Sequence, residues 1–406
     1  MKIQLHFLCA KYLKYCLSSL LLLSISSFAA TGEEHTKNPV PNTPEWRAYI
    51  EKSNKLQKLD QAKIAAEVKA LGLNKATLPE HTNQFGFDPK QNDDWFKSEE
   101  SERILNNILS FQTPSGGWSK RTGMAKGPRQ KGQAFGVEAD YIPTFDNDAT
   151  TTQLQLLARA YSLTQKKIYA DAFERGVQLI LDAQYPNGGW PQNYPLVSGY
   201  HDHITYNDNL MKDLMELLYD IGQGKNEYAF TSQTTRELAQ QSFAKGLDCI
   251  KKTQVVTKGQ LTIWGAQHDR VTLAPAKARN FEMISLSTSE SASLINFLMD
   301  IKSPDTDTIK AIHAAAKWLD DNKIVGQRWA HNDVTPQADP QAPPMWARFY
   351  EIGTNKPVFG DRDSSIHYAV SEISEERRNG YGWYNTAGNK VLLKYKKWAE
   401  KYPLKN

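Results

Sequence analysis

Two amphipathic stretches enclose a segment that cannot form a core, and this alternation governs what the chain can fold into. Phe173, Val177, Ile180 and Leu181 fall at i, i+4, i+7 and i+8, and Leu210, Leu214, Leu217, Leu218 and Ile221 repeat the pattern. That spacing is the apolar stripe of an α-helix. Between them Gln184 to Met211 reads QYPNGGWPQNYPLVSGYHDHITYNDNLM. It carries Gly188-Gly189, Trp190, four Tyr, two His, Asp202, Asp208 and six amide side chains. Loops this long inside a compact domain are functional or disordered, and the Trp and Tyr content argues against disorder. The plainer alternative is a surface loop whose Trp190 and prolines staple two helices.

The same rhythm recurs. Ile104, Ile108 and Phe111, then Leu154, Leu157 and Tyr161, then Leu247 and Ile250 give helical faces. Leu294, Leu298 and Ile301 follow, then Ile309, Ile312, Ala316 and Leu319, and finally Val391, Tyr395 and Trp398. Alternating runs are few, so the fold class is mainly α, with helices paired by long loops. A ring of helical hairpins would bring those loops to one face. Two GGW triplets, at Gly116 and Gly188, hint at an internal repeat.

Residues 1–29 read as a signal peptide: Lys2, Lys11 and Lys14, an apolar run through Leu20 to Leu23, and a small-x-small end at Ser27-Phe28-Ala29. The apolar run is short for a membrane span, so no stable membrane insertion is expected after cleavage, and the protein would be exported, secreted or periplasmic. Cleavage removes three Lys and no acids, and the net charge of +4 falls to +1. A nearly neutral protein cannot attract a polyanion as a whole, so an acidic ligand needs a local basic patch, and nucleic acid is not expected. Cys9 and Cys16 leave with the signal, and Cys249 has no partner for an internal disulfide. Residues 30–93 read as an N-terminal extension, with a helix over Pro44 to Leu73 and a linker rich in Pro and amides. The repeating helical rhythm starts at Asp94. A monomer is expected.

Two constellations could carry chemistry. Phe145-Asp146-Asn147-Asp148 and Tyr206-Asn207-Asp208-Asn209 each directly precede a helix. Capping explains one or two acids in each; a shared Ca²⁺ site would use their hard oxygens, although the spacing matches no EF-hand. The second constellation is Arg270, Lys277, Arg279, Arg348 and Arg362, beside aromatics or turns. They could clamp carboxylates or form ordinary ion pairs with Asp269, Glu282, Glu351, Asp361 and Asp363. His201, His203 and His268 lack zinc-site spacing. Walker A, Rossmann and GxSxG motifs are absent from the sequence.

Together GGWSK, TFDNDAT, NGGWPQNYP, ITYNDN, WGAQHD, KARNFE, WARFYEI, FGDRD and GYGWY resemble the pectate lyases of polysaccharide lyase family ten, over about residues 94–404. The resemblance implies an (α/α) toroid of helical hairpins with long loops forming a cleft, and makes 94–406 the catalytic domain. It implies Ca²⁺-assisted anti β-elimination of polygalacturonate (pectate). Arg279 would remove the C5 proton, Asp146, Asn147 and Asp208 would hold Ca²⁺, and Arg348 and Arg362 would bind substrate carboxylates. A guanidinium stays protonated in proteins, so its pKa would have to fall locally. Lys277, which shifts more readily, is the rival base and otherwise a substrate-binding cation. Two other classes stay open: a helical-toroid glycoside hydrolase with Asp146 and Asp208 as paired carboxylates, and a non-catalytic pectin-binding protein.

Overall fold

The computed structural model describes residues 39–404; the signal peptide and most of the leader read from the sequence lie outside the described residues. The helices are α1 (Pro44–Ala70), α2 (Glu99–Ser110), α3 (Thr151–Thr164), α4 (Lys167–Ala183), α5 (Leu210–Gly222), α6 (Gln233–Thr253), α7 (Thr288–Leu298), α8 (Thr306–Asp321), the short α9 (Glu375–Asn379) and α10 (Ala387–Lys401). Among the described residues, strands are two residues long apart from Pro357–Gly360. The chain is therefore mainly α. The apolar stripes face inward: Phe173, Val177 and Ile180 on α4, and Leu210, Leu214, Leu217, Leu218 and Ile221 on α5, are all buried.

The helices form two rows. In one, α5 packs against α3 and α7, and α7 against α10; in the other, α6 packs against α4 and α8. The chain steps from the second row to the first four times: α2 to α3, α4 to α5, α6 to α7, α8 to α10. Helices of the first row thus begin where those of the second end.

Each junction is closed by a buried indole. Trp118 Nε1–H donates to Ile108 O (2.8 Å), Trp190 to Ile180 O (2.9 Å), Trp264 to Ile250 O (2.8 Å) and Trp346 to Leu319 O (2.8 Å). Those carbonyls lie in the last turns of α2, α4, α6 and α8, where intrahelical partners run out. Three amides tie neighbouring helices of that row. Gln112, Gln184 and Gln254 each donate to a carbonyl of their own loop and to one on the next helix: Ala172 O (2.8 Å), Ser242 O (2.9 Å) and Ala311 O (3.0 Å). Gly188 has φ +98°, and a Cβ there would lie 2.1 Å from Lys245 O on α6; only glycine fits. The repeat hinted at by the two GGW triplets is thus real and extends to Trp264 and Trp346.

Helix α1 lies across the first two junctions. Tyr49 Oη–H donates to Ala183 O (3.0 Å), Ser53 Oγ accepts from Leu196 N–H (2.9 Å), and Asp60 accepts from Ser115 N–H (2.7 Å) and Oγ–H (2.6 Å). Short antiparallel ladders tie the loops together: Ile204–Thr205 with Gln267–His268, and Trp346–Ala347 with Tyr384–Asn385. Phe349–Tyr350 lies between Leu286–Ser287 and Pro357–Gly360 in a small sheet.

Candidate active site

The two Asp–Asn motifs are one structural device used twice. Asp146–Asp148 and Asn207–Asn209 are single 3₁₀ turns leading into α3 and α5, each with a left-handed central residue, Asn147 (φ 50°) and Asp208 (φ 51°). Acid and amide are exchanged between the copies. Each turn is pinned to a following loop: Phe145 N–H donates to Gln192 O (3.0 Å) and Tyr206 N–H to Ala266 O (2.8 Å). The capping explanation does not hold, because the residues capping α3 and α5, Thr150 and Asn209, make no side-chain cap bond. The side chains turn to each other instead. Asn207 Nδ2 and Asn147 Nδ2 both donate to Asp208 Oδ2, at 2.8 and 3.3 Å.

Both turns line a polar cleft of about 70 Å³, together with Lys120, Tyr141, Tyr200 and Arg279. Asp146 is 3 % exposed; its Oδ2 accepts from Lys120 Nζ (2.6 Å), while its buried Oδ1 has no hydrogen-bond partner. Lys120 sits 3.4 Å above the Tyr141 ring. Burial, then the charges of Asp146 and Glu290, raise the Asp208 pKa to about 6, against the pull of Arg348 and Arg279. A second cation brought here would relieve that repulsion.

Arg279 lines the cleft, held by the buried Glu282: Nε–H donates to Oε2 (2.8 Å), Nη2 to Oε1, and the Arg279 backbone N–H to Oε2 (3.2 Å). Tyr381 Oη–H also donates to Glu282 (2.7 Å). Burial opposes the guanidinium charge, but the hydrogen bonds and charge of Glu282 outweigh it and hold the pKa above the ordinary arginine value. Arg348 donates to Glu290 (2.6 Å) and to Asn207 Oδ1 (3.1 Å), so it reaches the cleft through Asn207. Lys277 and Arg362 are not among the residues lining the cleft. Lys277 Nζ donates to Ser364 Oγ (3.1 Å), and Arg362 forks onto Glu376 (2.8 and 2.9 Å).

Of the ion pairs expected from sequence neighbours, Arg279–Glu282 forms. For the other three arginines the partner comes from a tertiary contact: Arg270 pairs with Asp202, Arg348 with Glu290 and Arg362 with Glu376. Sequence reasoning passed over Lys120, Tyr141 and Glu290, while Tyr200 belongs to the long loop it singled out. Lys120 had a usable signal, two residues after the Trp of GGWSK. Trp190, fully buried, shapes its loop. His268 is buried and structural, accepting from Gly265 N–H at Nε2 (3.1 Å) and facing Leu273 O with Nδ1 (2.9 Å).

A family model described as pectic acid lyase matches residues 112–392. The chain belongs to the pectic acid lyase family. A family 10 polysaccharide lyase from Cellvibrio cellulosa superposes with a TM-score of 0.67 at 30 % identity, covering 77 % of this chain and 96 % of that one. A mutant of that lyase, in complex with trigalacturonic acid, matches with the same TM-score and identity over 76 % of this chain and 96 % of that one. Among curated proteins none matches. The chain is thus a lyase acting on polysaccharides, a pectate lyase of family ten, rather than a glycoside hydrolase or a non-catalytic binding protein. Among the described residues no helix is long and apolar enough to cross a membrane.

Proposed function

We propose that the protein is exported and cleaves polygalacturonate by anti β-elimination in the cleft between the two Asp–Asn turns. The observation that carries this reading is the convergence there of Arg279 and Lys120 with Asp146 and Asp208. The trigalacturonic acid complex of the Cellvibrio lyase supports the substrate class. In the elimination the C5 proton leaves, a C4–C5 double bond forms and the C4–O bond breaks. Negative charge develops on the adjacent carboxylate, and fixed cations offset it. Arg279 supplies such a cation, since Glu282 keeps it protonated in the substrate-free protein. To accept the C5 proton as well, Arg279 must lose a proton at the guanidinium nitrogen that Glu282 does not bind, so its pKa must fall as substrate enters while Glu282 keeps it oriented. Arg348 and Arg362 are proposed to bind further carboxylates along the chain, and Lys277 to contribute charge at the rim.

The residues present fit Ca²⁺ in donor type: Asp146 offers a buried oxygen without a hydrogen-bond partner, and Asp208 carries unrelieved negative charge. Among the described residues no cluster of three or more His, Cys, Asp or Glu could hold a metal, so Asp146, Asn147 and Asp208 would hold it together with oxygens from outside this set, since Ca²⁺ takes about six to eight. Bound there, the ion would supply Lewis-acid withdrawal from a substrate carboxylate. We also read the two helical rows as the (α/α) toroid, supported by the fourfold alternation between them.

Incubation with polygalacturonate should give ultraviolet-absorbing unsaturated ends, lost with a chelator and in Arg279→Ala. Saturated ends, or no product from folded protein with calcium, would overturn the reading.

A further inference from the structure

A second pocket lies on the cleft side of the molecule, where nothing in the reaction described above requires one. It has a volume of about 250 Å³. Its position follows from the fold. Asp146 and Asp208 stand at the N-termini of α3 and α5; this pocket stands at the N-terminus of α10, the last helix of the same row, where Tyr384, Asn385 and Thr386 line it. Tyr384 is paired across the short ladder with Ala347, the residue before Arg348. Asn385 Nδ2 donates to Thr288 Oγ1 (2.9 Å), which donates in turn to Ala347 O (2.8 Å). The pocket is thus joined to the Arg348 side of the cleft by a short ladder and two side-chain hydrogen bonds.

Its other wall is a lobe that leaves the helical rows and returns to them. Ile324 and Met345 close the lobe at its base with N–H···O bonds of 2.8 and 3.0 Å, and Gln327–Arg328 pairs with Gln337–Ala338 above it. The lobe places Trp329, half-buried, 5.0 Å from the Tyr384 ring at an angle of 42°. The two rings pack against each other and together line a small open hollow, where an exposed aromatic face suits the C–H face of a pyranose. The remaining polar lining is Gln327, Arg328, Asn385 and Thr386; no residue lining the pocket is acidic, and Arg328 is its charged side chain. Arg328 is half exposed and loosely paired with Asp333 at 3.6 Å. A pair that long and that exposed contributes little, so the guanidinium is available to a ligand carboxylate. Aromatic stacking plus one cation selects an acidic sugar over a neutral one.

Resting on the reading of the cleft as the site of pectate cleavage, we propose that the Trp329–Tyr384 pocket is a distal subsite that holds one uronate unit of the same polymer, remote from the bond cut. It lengthens the chain the enzyme grips and takes no part in the elimination.

The test compares the parent with Trp329→Ala, Trp329→Phe and Arg328→Gln, using polygalacturonate and trigalacturonate in calcium-containing buffer. Trp329→Ala should lower the ratio of kcat/KM for the polymer to that for the trimer about tenfold, Arg328→Gln should lower it by severalfold, and Trp329→Phe should keep most of it. Equal loss on both substrates, or no loss, overturns the subsite. Thermal melts on each variant, with the ring-preserving phenylalanine as control, separate lost binding from lost folding. If the parent makes no unsaturated product, the lyase reading fails, and calorimetric titration of polygalacturonate into the same variants still decides the subsite: unchanged affinity in Trp329→Ala sinks it, and affinity weakened about tenfold upholds it.

Discussion

Asp208→Asn tests the electrostatics of the cleft. In the folded protein without cation the Asp208 pKa is raised to about 6 from 3.8, by burial and by Asp146 and Glu290. The folded state therefore binds more protons than the unfolded state between those values, and stability falls as pH rises through that window. Above pH 6 the parent carries the full cost, at most about 3 kcal/mol for a shift of this size. Asparagine does not titrate, and its Oδ1 can still accept from Asn147 and Asn207. In chelator, Asp208→Asn should match the parent near pH 4 and exceed its stability by about 2 kcal/mol at pH 8, after allowing for partial solvent screening. Calcium at about a hundred times its Kd adds about 2.7 kcal/mol to a protein that binds it. It should therefore stabilise the parent and leave the variant nearly unchanged, reversing their order. Urea unfolding at both pH values, with chelator and with calcium, measures all four combinations. A variant less stable than the parent in chelator at pH 8 would refute the charge repulsion. Equal gains from calcium in both proteins would refute Asp208 as a ligand.

Other outcomes follow from the same geometry. Glu282→Gln should lower kcat on pectate by about 100-fold by freeing Arg279 from its clamp, and should shift the alkaline limb of the pH–rate profile to lower pH; an unchanged kcat would contradict the positioning. The His268 pKa is depressed by burial to about 4 from 6.5, so its contribution is present above pH 6.5 and lost as pH falls through 4. His268→Gln can preserve both hydrogen bonds, and the parent should lose about 3 kcal/mol relative to it between pH 7 and pH 4; parallel unfolding curves would count against this. Gly188→Ala should cost about 3 kcal/mol by forcing a Cβ against Lys245 O at positive φ, read as a lowered urea midpoint.

Much of this protein was legible in local pattern. Helical periodicity located the main helices because each buries one stripe, and a stripe is a property of neighbours three and four apart. The GGW triplets and the doubled Asp–Asn motif were visible because glycine and left-handed Asn or Asp mark backbone conformations that few residues adopt. The cleft was legible where a motif carried its residues, at Asp146, Asn147, Asp208 and Arg279. What the sequence could not assign was partnership across it. Arg348 lies 58 positions from Glu290 and 141 from Asn207, and chain neighbours such as Glu351 were the wrong guess. Lys277 and Arg362 looked like equals of Arg279, yet the fold turns them to Ser364 and Glu376. Ion pairing depends on distance in space and on burial, and both are set only when the helical rows bring loops from separate junctions together.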